Sequence, residues 1–242
     1  MTALLTHPHW PVPIQVKRSE RARRMSLKVD PTQRIATLVL PPRVSERVAM
    51  AFIADHIGWL QSRLDALPPP IPFAPGIEIP LLGEPHLLHS APGARRGVWI
   101  EDGGIHVSGP SDFFARRVGD FLKAEAKRRI LTRAAAMTAH LGLDFKSVRV
   151  GDPKSRWGSC NSKGTLAFSW RLVLTPDPVL TYVVAHEVSH LKEMNHSPRF
   201  WAWVKSLAPD FEKQRRWLKT NGAALYRYGI PALSSDPDHR GE

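Results

Sequence analysis

Residues 185–190 read Ala-His-Glu-Val-Ser-His, and a third histidine follows at position 196. On an α-helix, residues four positions apart lie on the same face, so His186 and His190 present two imidazoles to one metal ion. Glu187 lies on the flank of that face, where it reaches a water molecule on the metal without being a ligand. A catalytic zinc site needs three protein ligands and one open position. The pattern therefore predicts a Zn²⁺ site with Glu187 as general base.

The third ligand depends on where this helix ends. His196 follows His190 by six positions, which is about 240° round a straight helix, so it reaches the metal only if the helix stops first. Asn195 tolerates the left-handed conformation of helix ends, and Ser197-Pro198 suits the start of another helix. We therefore expect the helix to end at residues 194–195 and His196 to bind the metal.

Two acidic residues compete with His196 for this role. Glu193 lies seven positions after His186, on the same helix face but one turn beyond the metal. Glu212 is at the distance where other H-E-x-x-H enzymes place a glutamate on a second helix. We favour the histidine because the sequence provides a helix break just before it.

The composition indicates a folded chain without membrane spans. The 242 residues are 43% hydrophobic and 23% charged, which suffices for one large domain or two small ones. No segment approaches the roughly 18–20 apolar residues of a membrane span. The N-terminus lacks the basic start and apolar run of a secretory signal, and the single cysteine, Cys160, excludes an internal disulfide. We expect a cytoplasmic protein that does not bind membranes.

The chain is also strongly basic, with a formal net charge of +12. Such a charge favours anionic partners, including nucleotides and nucleic acid. Much of the charge lies in residues 17–24 and 127–129, which are equally typical of solvated strand and helix faces. No nucleic-acid-binding module is recognisable, so the charge predicts a class of partner and nothing finer.

The hydrophobic pattern predicts an α+β fold without internal repeats. Alternation typical of a β-meander, with a turn at 30–33, occupies residues 14–17, 25–29 and 35–40. Ser45 caps a helix that the prolines at 68–70 end. Four short strands follow, with a hairpin turn at Gly103-Gly104, at residues 77–82, 87–89, 98–100 and 105–107.

The C-terminal half predicts a long helix at 112–140, closed by Gly142, and a strand at 148–150. An alternating strand at 165–174 then precedes the metal helix, and two more helices follow His196. We place a domain boundary near residue 110. The resulting units are a β-rich region with one helix at 1–110, a catalytic domain at 111–225 and a flexible tail at 226–242.

Two motifs resemble a known family. Residues 154–160 read Lys-Ser-Arg-Trp-Gly-Ser-Cys, and residues 190–201 read His-Leu-Lys-Glu-Met-Asn-His-Ser-Pro-Arg-Phe-Trp. Together with the H-E-x-x-H helix they resemble the YgjP-like metallopeptidase family, which is related to the WLM and SprT-like zinc proteases. The likeness covers residues 14–221. It implies a zincin-like catalytic domain in which the three histidines bind zinc and Glu187 is the general base.

The resemblance also implies a substrate-binding strand. In zincins, an extended substrate usually adds to a strand beside the metal helix, here residues 165–174 or the loop before them. The histidine spacing matches metzincins as well. However, Glu193 replaces the glycine of their motif, and no methionine follows His196 to make a Met-turn, so we reject that assignment.

Arg156 and Cys160 are candidates outside the zinc ligands. A zinc hydrolase needs a positive group at the developing oxyanion, which Arg156 can supply, and the same side chain can hold an anionic substrate group. A structural arginine fits the sequence equally well. Cys160 as a zinc-binding thiolate would make the enzyme latent, but a small buried thiol is the simpler interpretation.

Three functions compete on this metal site. We favour a zinc metallopeptidase that hydrolyses peptide bonds of a protein or peptide substrate with water activated by Glu187. The second is a metal-dependent nucleoside triphosphate pyrophosphohydrolase with phosphates on Lys154, Arg156 and Lys163, although no Walker loop is present. The third is a non-catalytic metal-binding module, in which the carboxylate of Glu187 would have no use.

Overall fold

The computed structural model describes residues 2–5 by their backbone alone, and residues 10, 12–30 and 34–231 in full. The chain divides into two compact units, Met1–Pro69 and Pro70–Glu242. Strands and helices occur in both, which confirms the predicted α+β class. Residues 31–33 of the expected turn and most of the expected tail lie outside the described residues. Among the described helices, none is long and apolar enough to cross a bilayer.

The N-terminal unit is a four-stranded sheet followed by one helix. The sheet consists of β1 (Thr2–Leu5), β2 (Ile14–Arg18), β3 (Ser26–Asp30) and β4 (Ile35–Leu40), and the helix is α1 (Glu46–Asp65). As predicted, the Ser45 side chain caps α1 by accepting a hydrogen bond from the Val48 backbone N–H. The predicted meander is wrong in its pairing, because the strand order is β1-β2-β4-β3 and β2 runs parallel to β4. Alternation within a strand fixes its buried face but not its neighbour.

The second unit begins with another four-stranded sheet and a long helix. Its strands are β5 (Glu78–Leu81), β6 (Glu84–Ala91), β7 (Val98–Glu101) and β8 (Gly104–Ser108), and α2 (Phe114–Leu141) follows a 3₁₀ turn at Ser111–Phe113. The β7–β8 turn consists of Asp102 and Gly103, one residue earlier than predicted, with φ of 48° and 72°. Two positive φ values identify the hairpin turn type that favours an Asp-Gly pair. Gly142 (φ 62°) ends α2 as predicted.

The two sheets share one topology that the sequence does not reveal. The second has the order β5-β6-β8-β7, with β6 parallel to β8 and both outer pairs antiparallel. The first has the same order and the same directions, and each sheet precedes a helix of at least 20 residues. The expectation of no internal repeat is therefore wrong at the level of topology.

The unit boundary lies at the prolines after α1 and not near residue 110. Ile79, Leu88 and Ile105 of the second sheet lie in the same hydrophobic core as Leu122 and Ile130 of α2. The sheet buries its apolar face against that helix, so the two cannot belong to separate units. The glycines and prolines of residues 71–110 serve hairpin turns within one unit rather than a linker between two.

The remaining elements surround the predicted metal helix. A three-stranded sheet, in the order β10-β11-β9, is formed by β9 (Ser147–Gly151), β10 (Gly158–Cys160) and β11 (Thr165–Ser169). A 3₁₀ turn (Trp170–Leu174) leads to the metal helix, α3 (Asp177–Ser189). It is followed by α4 (Pro198–Leu207), α5 (Phe211–Asn221) and a 3₁₀ turn at Gly222–Arg227.

The predicted strand at 165–174 continues only to Ser169. Its second half is the 3₁₀ turn, because the Ser169 hydroxyl accepts a hydrogen bond from the Arg171 backbone N–H and bends the chain. All five residues of the turn are buried, Arg171 included. Alternating residues predict a strand with one buried and one exposed face, and these residues have no exposed face.

Arg171 joins this turn to the end of the described chain. Its Nε donates to Asp152 Oδ1 at 2.8 Å, and its Nη1 donates to the carbonyl oxygens of Leu225 and Tyr228, both at 2.9 Å. Residues 226–231 therefore do not belong to a flexible tail as expected, since Tyr228 is tied to the core and Tyr226 is buried.

We expect Arg171→Met to lower the free energy of unfolding by about 3 kcal/mol. A methionine has similar length but leaves Asp152 partly buried without its main partner and two carbonyl oxygens without donors. Urea denaturation followed by circular dichroism measures the change. Arg116→Met removes an exposed pair with Asp120 and serves as the control. Equal midpoints for the two variants would contradict the anchoring role of Arg171.

Candidate metal centre

The three histidines predicted as ligands lie together. His186 is in the last turn of α3, His190 caps that helix, and His196 lies in the loop before α4. Their ligand nitrogens lie within 4.8 Å of one another, and the Nε2 atoms of His186 and His196 are 3.1 Å apart. Two nitrogens that bind one zinc ion tetrahedrally at about 2.1 Å are roughly 3.4 Å apart, so these residues fit such an ion.

The helix ends earlier than predicted. Its last residue is Ser189, and the next backbone N–H groups turn back onto it, with Leu191 donating to Val188 O and Glu193 to Ser189 O. Asn195 does not adopt the left-handed conformation. Instead its Oδ1 accepts a hydrogen bond from the Ser197 backbone N–H at 3.0 Å. A side-chain turn therefore carries His196 to the other two histidines.

The start of α4 follows the prediction. Ser197 caps it by accepting a hydrogen bond from the Phe200 backbone N–H, and Pro198 is its first residue. This cap fixes the residue that follows His196, so the third imidazole is held from the α4 side as well as by Asn195.

Neither competing glutamate joins the histidines. Glu193 contributes its backbone carbonyl, which lies 3.1 Å from His190 Nδ1. That contact places the proton on Nδ1 and leaves Nε2 of His190 with a free lone pair for a metal. Glu212 lines a separate cavity at the start of α5, beside Lys205 and Arg216.

An aromatic residue forms the floor beneath the histidines. The ring centroid of Phe200 lies 4.9, 4.5 and 4.7 Å from those of His186, His190 and His196. Burial, together with the charges of the other two histidines and of Arg215, lowers the pKa of His186 to about 3. Burial also lowers the pKa of His190. Both imidazoles are thus neutral at pH 7, the form that binds a metal.

Glu187 is buried beside the edge strand of the three-stranded sheet. Its side chain is only 5% exposed and contacts Gly158 of β10. Burial raises its pKa to about 8, against the opposing positive charge of Arg156. A raised pKa makes the ionised carboxylate a stronger base than that of an ordinary glutamate, which is the property a general base uses.

Gly158 is a site residue that sequence reasoning missed. A Cβ atom at this position would lie 2.5 Å from Glu187 Oε1 and 2.6 Å from its Cγ. Contacts that short are not tolerated, so only glycine leaves room for the carboxylate. Gly158 is the glycine of the Arg-Trp-Gly-Ser-Cys motif, so the sequence does single it out. Its role depends on Glu187, which is 29 positions away in the sequence.

We expect Gly158→Ala to lower kcat about 10²-fold without loss of metal. The added methyl group displaces the Glu187 carboxylate, and a misplacement near 1 Å costs about this much. Steady-state kinetics and metal analysis measure the two effects. Gly151→Ala is the matched control in the same sheet, because a Cβ there meets no atom within 4 Å. An unchanged kcat for Gly158→Ala would contradict the packing role.

The other two candidates have different surroundings. Arg156 lies in the loop before β10, is exposed, and forms no hydrogen bond or ion pair within the described part of the chain. Cys160 lies on β10, where burial and the nearby Glu187 charge raise its pKa to about 11. Without a metal the thiol therefore stays protonated at neutral pH, as a small buried thiol does.

Of the two places expected for an extended substrate, the loop before residue 165 has the free strand edge. β11 pairs with β9 on one side and β10 on the other, so it has no free edge. β10 pairs with β11 alone among the described strands, and it is the strand beside Glu187. The edge open to an extended peptide is therefore in the loop before the predicted strand.

A second arginine also faces the histidines. The guanidinium carbon of Arg215, on α5, lies 5.0 Å from the Trp201 ring centroid. Trp201 in turn stacks on His196, with centroids 5.8 Å apart and planes 26° apart. No pattern in the sequence indicates Arg215, because it lies on a helix whose packing against α3 is a tertiary feature.

The family profile described as YgjP-like, metallopeptidase domain, matches residues 23–221. The chain belongs to this family. It is therefore placed among metallopeptidases, a class of metal-dependent hydrolases, as the two central motifs predicted. No curated protein matches the sequence.

Two solved structures are similar over the smaller part of the chain. The metallopeptidase zymogen of Pyrococcus abyssi abylysin is 21% identical and covers 38% of this chain and 93% of its own, with a TM-score of 0.33. The metallopeptidase zymogen of Methanocaldococcus jannaschii jannalysin is 19% identical and covers 39% and 96%, with a TM-score of 0.34. Structural likeness at this level carries no argument about the site.

Proposed function

We propose that the protein is a zinc-dependent peptidase with His186, His190 and His196 as the zinc ligands. The observation that supports this best is the placement of Glu187, a buried carboxylate directly after a ligand and beside a free strand edge. A purely structural metal site has no need for that carboxylate. A zinc ion held by the three histidines would acidify the attacking water and polarise the scissile carbonyl.

The protein residues perform the proton transfers and hold the substrate. Glu187 removes a proton from the attacking water as its oxygen bonds to the carbonyl carbon. The same carboxyl group then delivers the proton to the leaving nitrogen as the C–N bond breaks. Arg156, on the loop before β10, stabilises the negative charge that develops on the carbonyl oxygen.

The substrate lies along β10 in extended form. The unpaired edge of this strand offers main-chain hydrogen bonds that are independent of sequence. Because Glu187 packs on Gly158 of the same strand, a peptide bound there has its backbone next to the general base.

The alternative nucleotide hydrolase loses part of its support. Of the three cations assigned to phosphates, Lys154 forms an ion pair with Asp152 at 2.8 Å. Asp152 also pairs with the buried Arg171, so Lys154 is held by a structural acid. Only Arg156 and Lys163 then remain to bind a triphosphate, and the sequence lacks the glycine-rich loop that usually binds its phosphates.

The test compares the zinc-loaded protein on unfolded casein and on nucleoside triphosphates. We expect cleavage of casein, its loss after chelation, and its return on addition of zinc. Cleavage of nucleotides without cleavage of casein would contradict the proposal. Bound zinc with no hydrolysis of either substrate would favour a binding module.

A further inference from the structure

The rim of the candidate metal centre carries positive side chains that form no ion pair within the described part of the chain. Arg156 and Arg215 are exposed and form no ion pair with any described residue. Several other arginines of the same unit do form ion pairs, for example Arg116 with Asp120 and Arg129 with Glu125. Unpaired cations gathered at one cleft raise the local concentration of anionic ligands.

Arg215 is held in place on the α5 side of the centre. Its guanidinium lies over the Trp201 ring at 5.0 Å, and that ring stacks on His196. Stacking on an aromatic face leaves the N–H groups at the guanidinium edge free to donate. Arg215 therefore presents its guanidinium beside Trp201, one aromatic ring away from the third histidine, and donates to no acceptor of the described chain.

The two ends of the β10 edge are positive as well. Arg156 precedes the strand, and with Arg149 it lines a cavity of 190 Å³. Beyond the other end, Lys146 and Lys163 line a cavity of 480 Å³ that reaches His190. These cations also lack ion pairs in the described part of the chain. A peptide bound along β10 thus passes between positive groups on both sides of the scissile bond.

We propose that the protein prefers peptides with acidic residues on both sides of the scissile bond. This inference rests on the proposed function, since it names the substrate class of the same site. Carboxylates match the paired donors of the arginine fork, and complementary charge speeds encounter at low ionic strength. Aspartate and glutamate side chains next to the cleaved bond can contact Arg156 at one end of β10, Lys163 beyond the other end, and Arg215 on the α5 side.

The experiment uses three quenched fluorescent peptides with one common centre, flanked on both sides by glutamates, glutamines or lysines. For the zinc-loaded protein we expect kcat/KM to be about tenfold higher for the glutamate peptide than for the glutamine peptide, mainly through KM. The preference falls at 1 M salt, where the Debye length is about 3 Å.

Arg215→Gln should reduce the glutamate-to-glutamine ratio about fivefold, the size of one exposed ion pair. Arg215→Lys keeps the charge and should retain most of the ratio. Arg216→Gln is the matched control, since it removes one charge from the same helix but faces the separate cavity beside Glu212. A ratio of two rates is insensitive to a change in the folded or zinc-loaded fraction.

The outcomes separate this inference from the proposed function. Equal cleavage of all three peptides, or a ratio unchanged in Arg215→Gln, overturns the substrate preference and leaves the peptidase intact. If no peptide is cleaved, the proposed function fails. The affinity of each peptide for the zinc-loaded protein, measured by fluorescence anisotropy, then tests the preference for acidic peptides on its own. Tighter binding of a nucleoside triphosphate than of the glutamate peptide would show that the positive side chains at the rim bind phosphate groups, and it would overturn the inference.

Discussion

We expect Glu187→Gln to lower kcat about 10³-fold and to leave the zinc content at one ion per chain. Glutamine has nearly the same shape, so it fills the space beside Gly158, but it cannot take a proton from water. General acid–base groups contribute between about 10² and 10⁴ in rate. Steady-state cleavage of unfolded casein, together with zinc analysis of the same sample, measures both quantities.

Glu193→Gln is the control for this variant. It alters a carboxylate at the end of the same segment but keeps the backbone carbonyl that faces His190. We expect its kcat to stay within a few-fold of the wild type. Loss of zinc from Glu187→Gln would show that the residue binds the metal, and an unchanged kcat would remove it from the mechanism.

We expect His196→Ala to weaken zinc binding more than 100-fold and to abolish casein cleavage. Changing a residue that merely supports a zinc ligand costs roughly 10- to 100-fold in affinity, and removal of a ligand costs more. Competition with a chromogenic chelator measures the zinc affinity, and circular dichroism checks that the variant is folded.

Glu212→Gln separates the two candidates for the third ligand. Because Glu212 lines a cavity away from the histidines, we expect this variant to bind zinc as the wild type does. His140→Ala, on the exposed end of α2, controls for the loss of a histidine elsewhere. If Glu212→Gln lost zinc and His196→Ala kept it, the ligand set inferred from the sequence would be wrong.

The proximity of the three histidines could largely be predicted because they are close in the sequence. His186, Glu187 and His190 are within one helical turn, and His196 is separated from them by a few residues that bend the chain. Helix geometry places residues three or four positions apart on one face, so their relative position can be predicted from the sequence spacing. The turn is present, but its predicted cause is wrong, because Asn195 acts through a side-chain hydrogen bond and not through a left-handed backbone conformation.

Residues that meet the site from afar were not predictable in the same way. Gly158 contacts Glu187 only because β10 packs beside α3, and Arg215 reaches Trp201 only because α5 returns to the histidines. The pairing of β2 with β4 and the burial of the 3₁₀ turn after β11 have the same origin. Each depends on tertiary packing, which overrides patterns read along a single segment.

β10, the edge beside Glu187, contains only three residues. An edge that short offers few main-chain hydrogen bonds, and it also presents little surface for unwanted pairing with other strands. If a peptide binds there, few backbone hydrogen bonds hold it, so we expect its fragments to dissociate quickly after cleavage. Discrimination among sequences then falls to side chains at the ends of the edge, while the strand itself serves only to align the chain.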